Sequence, residues 1–195
     1  MKHFEYYPTI EYSEHLSTNI MVRGKIRDAV LANKVLYYKY TVPDGMKPEM
    51  ISHKYYGTPN HVWSIYYANN IHDPIIEWPM DNRIFDQYII DKYGSINKAN
   101  QKFLDSGQLN LDSIHHFVLN NNYSKQSYIV DHETYLDFHV RKNTKGTNPY
   151  LDGDVVDPVT FYEYENLLNE KRREIVVIDN THLSQMINEF IVLFD

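Results

Sequence analysis

Hydrophobic and polar positions along this chain change period several times, and the changes mark out its elements. Val35 to Val42, VLYYKYTV, is rich in β-branched and aromatic residues and predicts a strand. Pro43, Asp44 and Gly45 stop it with turn chemistry, since proline fixes φ and glycine accepts positive φ. Pro48 suits the first turn of a helix, where its missing N–H costs nothing. Met50, Ile51 and Tyr55 recur on one face of that helix, and Gly57 ends it as a C-terminal cap. Thr58, Pro59 and Asn60 form a loop, with Asn60 placed to cap a second helix through its side-chain oxygen. There Val62, Trp63, Tyr66 and Tyr67 make a broad aromatic stripe, and Asn69-Asn70 ends the helix. Asp73-Pro74 then predicts a turn and Ile75-Ile76 a short strand, closed by Trp78-Pro79.

Downstream, Asp81 to Tyr93 is a helix carrying Ile84, Phe85, Tyr88 and Ile89, stopped by Gly94. Ser95 caps a second short helix through Phe103, and Leu104 to Asp112 connects. Ile114 to Leu119 and Tyr128 to Phe138 read as strands of a hairpin or small meander, separated by Asn120, Asn121 and Asn122. Arg141 to Asp157 reads as a long loop. Val159 to Arg172 is a helix with Phe161, Tyr164 and Leu168 on one face, and Glu174 to Ile178 is a short apolar strand. Asp179 or Thr181 caps the last helix, where Leu183, Met186, Ile187, Phe190, Ile191 and Phe194 form one apolar face. Burying each large side chain of that face is worth about 1.5–3 kcal/mol, so it must meet its own domain or a partner. At the other end, Met1 to Ser17 has no sustained period and suggests an extended arm that orders against a partner. A short helix follows near Ile26 to Leu31. The fold class is α+β in three parts: an arm and short helix over 1–33, a small βααβ module over 34–80, and a C-terminal α+β region over 81–195 with hairpin, helix, strand and amphipathic helix.

Composition narrows what such a chain can do. It has 195 residues and no cysteine, so neither disulfides nor thiolate metal sites hold it together. A formal net charge of −7 argues against a nucleic-acid partner, which needs clustered cations. Lys171, Arg172 and Arg173 form the one compact basic group, and they read as cations at a helix C-terminus. No apolar run has signal-peptide or bilayer length, so a membrane partner is not expected. Tyrosine occurs 18 times and phenylalanine 8. A ring that keeps a hydroxyl suits half-buried faces and interfaces.

Candidate chemistry yields no site. His115 and His116 are adjacent, so in a strand they face opposite sides. His132 and His139 could approach one of them across a hairpin, near Asp131 or Glu133, but a zinc site needs several ligands converging. They read as solvated strand histidines. Glu163 with Glu165, or Asp152 with Asp154, could serve acid–base work in a glycosidase. The first pair does not share a helix face and the second lies in a polar loop, so both read as solvent-facing charge. G-x-S-x-G, G-x-x-x-x-G-K and G-x-G-x-x-G are absent. Catalytic, cofactor-binding and metal residues are therefore expected to be none, with no cofactor. Trp63 reads as core. Trp78, beside Pro79 at the edge of a unit, reads as a contact residue.

Tyr40 to Pro74 resembles a LysM domain through Asp44-Gly45, Met50-Ile51, Tyr55-Tyr56-Gly57, Trp63, Asn69-Asn70-Ile71 and Asp73-Pro74. The resemblance implies a βααβ fold. LysM units usually bind N-acetylglucosamine polymers, but they are commonly repeated and joined by Ser/Thr-rich linkers, which this chain lacks. More widely, the chain is similar to the LysM-like wedge subunit of the baseplate of contractile-tailed, T-even-type bacteriophages. That similarity rests on Asp73 to Met80, on the helix through Lys92-Tyr93-Gly94, and on Tyr162 to Ile178 with Asn169-Glu170-Lys171-Arg172. It implies a structural clamp, not an enzyme, that binds other wedge subunits and ties adjacent wedges into the sixfold ring. It also implies residence in the tail baseplate of the virion after assembly in the host cytoplasm. On this view the contact candidates are Phe4, Tyr6 and Tyr7 in the arm, Tyr56 and Trp78 in the module, and Leu183, Met186, Ile187, Phe190 and Phe194 in the last helix. The alternative is a tail protein that grips peptidoglycan or chitin and is linked to cell-wall degradation. A third reading is a metal-dependent enzyme around His115 and His132.

Overall fold

A computed structural model describes residues 7–21, 37–121, 124–142 and 153–192. The helix expected near Ile26 to Leu31 lies outside them. The chain divides into two units, and the first is discontinuous: Met1–Asp81 with Glu170–Asp195, interrupted by the second, Asn82–Asn169.

In the first unit the arm carries more structure than its lack of period suggests. Strands β1 (Thr9–Tyr12) and β2 (His15–Thr18) pair antiparallel. Ser13 and Glu14 between them take φ of 49° and 67°, the turn geometry whose twist matches paired strands. Strand β3 (Tyr37–Thr41) pairs antiparallel with β7 (Glu174–Ile178), a strand from far along the chain. Ile75 and Ile76 are not a strand; they lie in a short helix, α3 (Pro74–Glu77). The reason is local: Asp73 Oδ1 accepts the Ile75 N–H at 2.9 Å and Pro74 fills the first helical position.

Helix α1 (Pro48–Tyr56) begins at its proline and ends at Gly57, whose φ of 73° only glycine adopts cheaply. Ile51 is fully buried but Met50 is exposed, so Met50 lies off the packed face. Thr58, not Asn60, is the cap that follows. Its hydroxyl accepts the Asn60 N–H at 3.3 Å and starts a 3₁₀ turn, Pro59–His61, that leads into α2 (Val62–Ala68). Val42, Ile51, Ile65, Trp78, Ile175 and Val177 form the core of the unit. Trp63 is buried, as the aromatic stripe suggests. Asn70 ends this region with φ of 54°.

Two polar side chains lock the unit. Asn69 Nδ2 donates to the carbonyls of Ile65 and Val176, each at 2.8 Å, and its Oδ1 accepts the Val176 N–H at 2.7 Å. Arg173 is buried and donates to the Val42 and Met80 carbonyls, to Asp44 and to Glu170. The last helix, α8 (Asn180–Val192), is capped by Asp179, which accepts from the Thr181 N–H at 2.8 Å and hydroxyl at 2.7 Å. The Tyr38 hydroxyl donates to the same carboxylate at 2.5 Å. These bonds, Tyr38's foremost, hold the Asp179 carboxyl at about 2.

The second unit opens with α4 (Asn82–Tyr93), which buries Phe85 and Ile89 and stops at Gly94 with φ of 89°. Ser95 caps α5 (Ile96–Asn100) by accepting the Lys98 N–H at 3.1 Å. That helix ends before Phe103, which is bridged instead to Leu109. Strand β4 (Ile114–Asn120) lies between β5 (Ser127–Val130) and β6 (Val155–Thr160), antiparallel to both. The strand expected through Phe138 stops at Val130. Asp131 accepts the Thr134 N–H at 2.8 Å and starts α6 (His132–Lys142), whose buried Tyr135 and Phe138 sit three apart, on one helical face. The expected loop into Asp157 and the helix expected from Val159 give way to β6. Helix α7 (Phe161–Arg172) then starts from a capping box, Thr160 accepting the Glu163 N–H at 3.1 Å and Glu163 accepting the Thr160 N–H at 3.0 Å. Ile114, Phe117, Tyr135, Phe138 and Val156 form this unit's core. Among the described residues no helix is long and apolar enough to cross a membrane.

Candidate interface

The contact residues expected from sequence fall into distinct places. In the first unit Tyr7 and Trp63 form a buried pair, with Tyr67, Met186 and Ile187 packed against it. The Tyr7 and Tyr67 hydroxyls are 2.7 Å apart, and Trp63 meets Tyr67 edge-on at 5.9 Å. Burial, then the hydroxyl bond to Tyr67, pushes the Tyr7 phenol well above its ordinary value. Leu183 is buried too. Tyr56 is half-buried and donates to the Ile178 carbonyl at 3.0 Å. Trp78 stands in the core of the unit, its Nε1–H donating to the Met46 carbonyl at 3.0 Å. Phe4, Tyr6 and Phe194 lie outside the described residues, and so does the side chain of Phe190, whose backbone is in α8.

The most exposed large apolar group of the module was not singled out by sequence. Ile75 is 88 % exposed and Ile76 58 %, side by side on α3. The turn beneath them is fixed at both ends. Asp73 caps Ile75, and the Glu77 carboxylate accepts the His72 N–H at 2.6 Å and the Asp73 N–H at 3.1 Å. Donation from Asp73 and His72 holds the Glu77 carboxyl below its ordinary range. The signal was present: Asp-Pro is a helix N-cap followed by an N1 proline, and a four-residue helix has little face to bury. On β1 and β2, Tyr12 and Leu16 are also open, at 71 % and 80 %.

The titratable groups weighed for chemistry fall into separate places. Strand alternation breaks between Ile114 and His116, so His115 and His116 do not face opposite sides; their Nδ1 atoms are 2.7 Å apart. His115 stacks on Tyr164 at 3.8 Å. Burial, then His115, pushes His116 below its ordinary value. His132 and His139 sit on α6, against Phe117 and Tyr135. Among the described residues no three His, Asp or Glu side chains are grouped to hold a metal ion. Asp152 lies outside them, and Asp154 is buried.

Glu165 is not the solvent-facing charge expected, being 11 % exposed, whereas Glu163 meets solvent but is also tied down. Glu163 closes the capping box and pairs with Lys102 at 2.8 Å. Glu165 accepts from Lys92 at 2.6 Å, Tyr93 at 2.9 Å and Tyr88 at 3.3 Å. Burial alone would raise the Glu165 carboxyl, but donation from Lys92, Tyr93 and Tyr88 outweighs it and leaves it below its ordinary range. A carboxyl with a folded pKa below the unfolded one adds stability above the unfolded value and loses it as pH falls through the folded value. Lys92 is shifted up, first by Glu165 and then by Tyr88, so its share persists below the ordinary lysine range and is lost as pH rises through the folded value. Because Lys92 is 46 % open, Glu165→Gln should cost the second unit only about 1 kcal/mol at neutral pH. It should also flatten the acid limb of stability against pH, measured by hydrogen exchange of β4 and β6 amides.

The sequence model of one family, described as base plate wedge protein 53, matches residues 6–193 of this chain. No curated protein sequence matches it.

Proposed function

We propose, from the premise that the chain belongs to the base plate wedge protein 53 family, that it joins adjacent wedges of a contractile phage tail during baseplate assembly. The family is structural, so the chain is a structural subunit of the virion's tail baseplate and assembles with other baseplate proteins. The observation that carries the finer reading is the Ile75–Ile76 pair, apolar, open and set on a turn whose backbone is already fixed. Burying an isoleucine is worth about 1.5–3 kcal/mol, and a rigid turn loses little ordering entropy on binding. Such a pair is suited to anchor protein against protein.

The order β3, α1, α2, β7, with turn residues at Gly45, Gly57 and Asn70, supports a LysM-like scaffold in the first unit. Its closing strand arrives only after the second unit. On this reading 1–33 is a contact arm, 34–80 the body of the module and 81–195 the wedge-contact region. Tyr7, Met186 and Ile187 fasten the arm and last helix to the module, while Phe4, Tyr6, Leu183, Phe190 and Phe194 remain proposed contact residues. Tyr56 and Trp78 stiffen the scaffold beneath. On this reading the module's partner is protein and not glycan.

Mixing the purified chain with wedge proteins of the same phage should give a co-eluting complex. Ile75→Ser with Ile76→Ser should weaken joining by about tenfold or more while leaving the fold intact, since neither side chain is in the core. A wild-type chain that stays apart from every wedge complex, or that sediments with peptidoglycan and ignores wedges, would overturn the reading.

A further inference from the structure

The β3–β7 sheet of the first unit has one closed edge and, among the described residues, one open edge. On β7, Val176 exchanges both backbone hydrogen bonds with the side-chain amide of Asn69. That amide occupies the place of a third strand. Val176 therefore turns its backbone groups away from β3, and so does Lys39 opposite it, leaving Tyr38–Val177 and Tyr40–Ile175 as the hydrogen-bonded pairs. Val42 continues the alternation by donating its N–H to the Arg173 carbonyl at 2.8 Å. The N–H and C=O groups of Tyr37, Lys39 and Thr41 thus point outward, and among the described residues none of them has a hydrogen-bond partner.

A row of open donors and acceptors is a template for another strand. Side chains decide which strand. Lys39 stands in the middle of the row, on one face of the sheet. On the other face Lys54 lies over the Tyr40 ring, 5.4 Å from its centre. Cations thus flank the edge on both sides, while Glu174, the carboxylate opposite Thr41, is on the inner strand. A second copy of β3 is a poor occupant. The register that uses all three outward residues sets Lys39 against Lys39, and like charges directly opposite are destabilising.

We propose that the outer edge of β3 takes up an extended acidic segment of a neighbouring baseplate protein as an added strand, with a carboxylate set opposite Lys39. This rests on the wedge-joining role proposed above and names the chemistry of one partner segment.

The test uses the full chain and the wedge proteins it joins. In the free chain the Lys39 and Thr41 amides should exchange at nearly unprotected rates, and in the complex they should slow by about a hundredfold or more. Lys39→Glu reverses the charge, and Lys39→Pro removes an outward N–H without touching a bond to β7. Each should weaken joining by about tenfold, with Lys39→Arg close to wild type and the Tyr38 and Tyr40 amides still protected as a check on folding. If the wild type joins while Lys39 and Thr41 stay unprotected, or the Glu variant joins as tightly, the edge proposal fails and the joining role stands. If the wild type joins nothing, both fall. Protection of the same amides in the chain alone at high concentration would assign the edge to a second copy and overturn the acidic partner.

Discussion

Trp78→Ala will destabilise the first unit by about 3–5 kcal/mol, the range for emptying an aromatic site in a core. Trp78 is only 8 % exposed and packs with Val42, Ile51, Ile65, Ile175 and Val177. Truncation opens a cavity among groups drawn from β3, α1, α2 and β7, which cannot all collapse into it together. It also removes the donor from the Met46 carbonyl. Trp78→Phe separates the two effects: it keeps most of the ring volume and loses the N–H, so it should cost about 1–2 kcal/mol. Urea unfolding followed by the fluorescence of the remaining Trp63 measures both. The opposite pattern, normal stability with lost joining, would mean that Trp78 meets a partner instead of its own core.

The position of Trp78 shows what the sequence could and could not carry. Local chemistry was legible: Pro48, Gly57 and Ser95 begin or end helices where expected, and Glu174 to Ile178 is a strand. Strand pairing was not. Which strand meets β3 depends on contacts closed across the whole second unit, and no local period encodes them. With β7 as the partner, Ile75 and Ile76 are freed from the sheet and Trp78 turns inward. The errors in the second unit are of another kind. Tyr128 to Phe138 alternates enough to look extended, yet Asp131 is a cap and Tyr135 and Phe138 share a helical face. Thr160-x-x-Glu163 is a capping box, and a helix drawn from Val159 places the cap residue inside the helix instead of at its start.

Arg173 was the less visible half of the same problem. In sequence it ends a run of cations, and the helix C-terminus accounts for Lys171 and Arg172. In the fold it is a brace. Its guanidinium donates to the Val42 carbonyl at 3.4 Å, the Met80 carbonyl at 3.1 Å, Asp44 at 2.9 Å and Glu170 at 2.8 Å. Burial pulls its pKa down, but Glu170 and Asp44 more than compensate, so it stays charged. Asp44 and Glu170 are half-exposed, at 50 % and 53 %, and regain water if the arginine is lost. The two carbonyls and the buried stem do not recover as easily. Arg173→Met should therefore cost about 2–4 kcal/mol, chiefly from unmet backbone acceptors and not from lost ion pairs. Two further measurements decide between these causes. Raising salt should change the difference little, because exposed pairs are what salt screens. Arg173→Lys should recover only part of the loss, since one ammonium cannot reach carbonyls and carboxylates that a planar fork reaches together. Full rescue by lysine, or a loss that vanishes in high salt, would make Arg173 an ordinary surface cation at the end of α7.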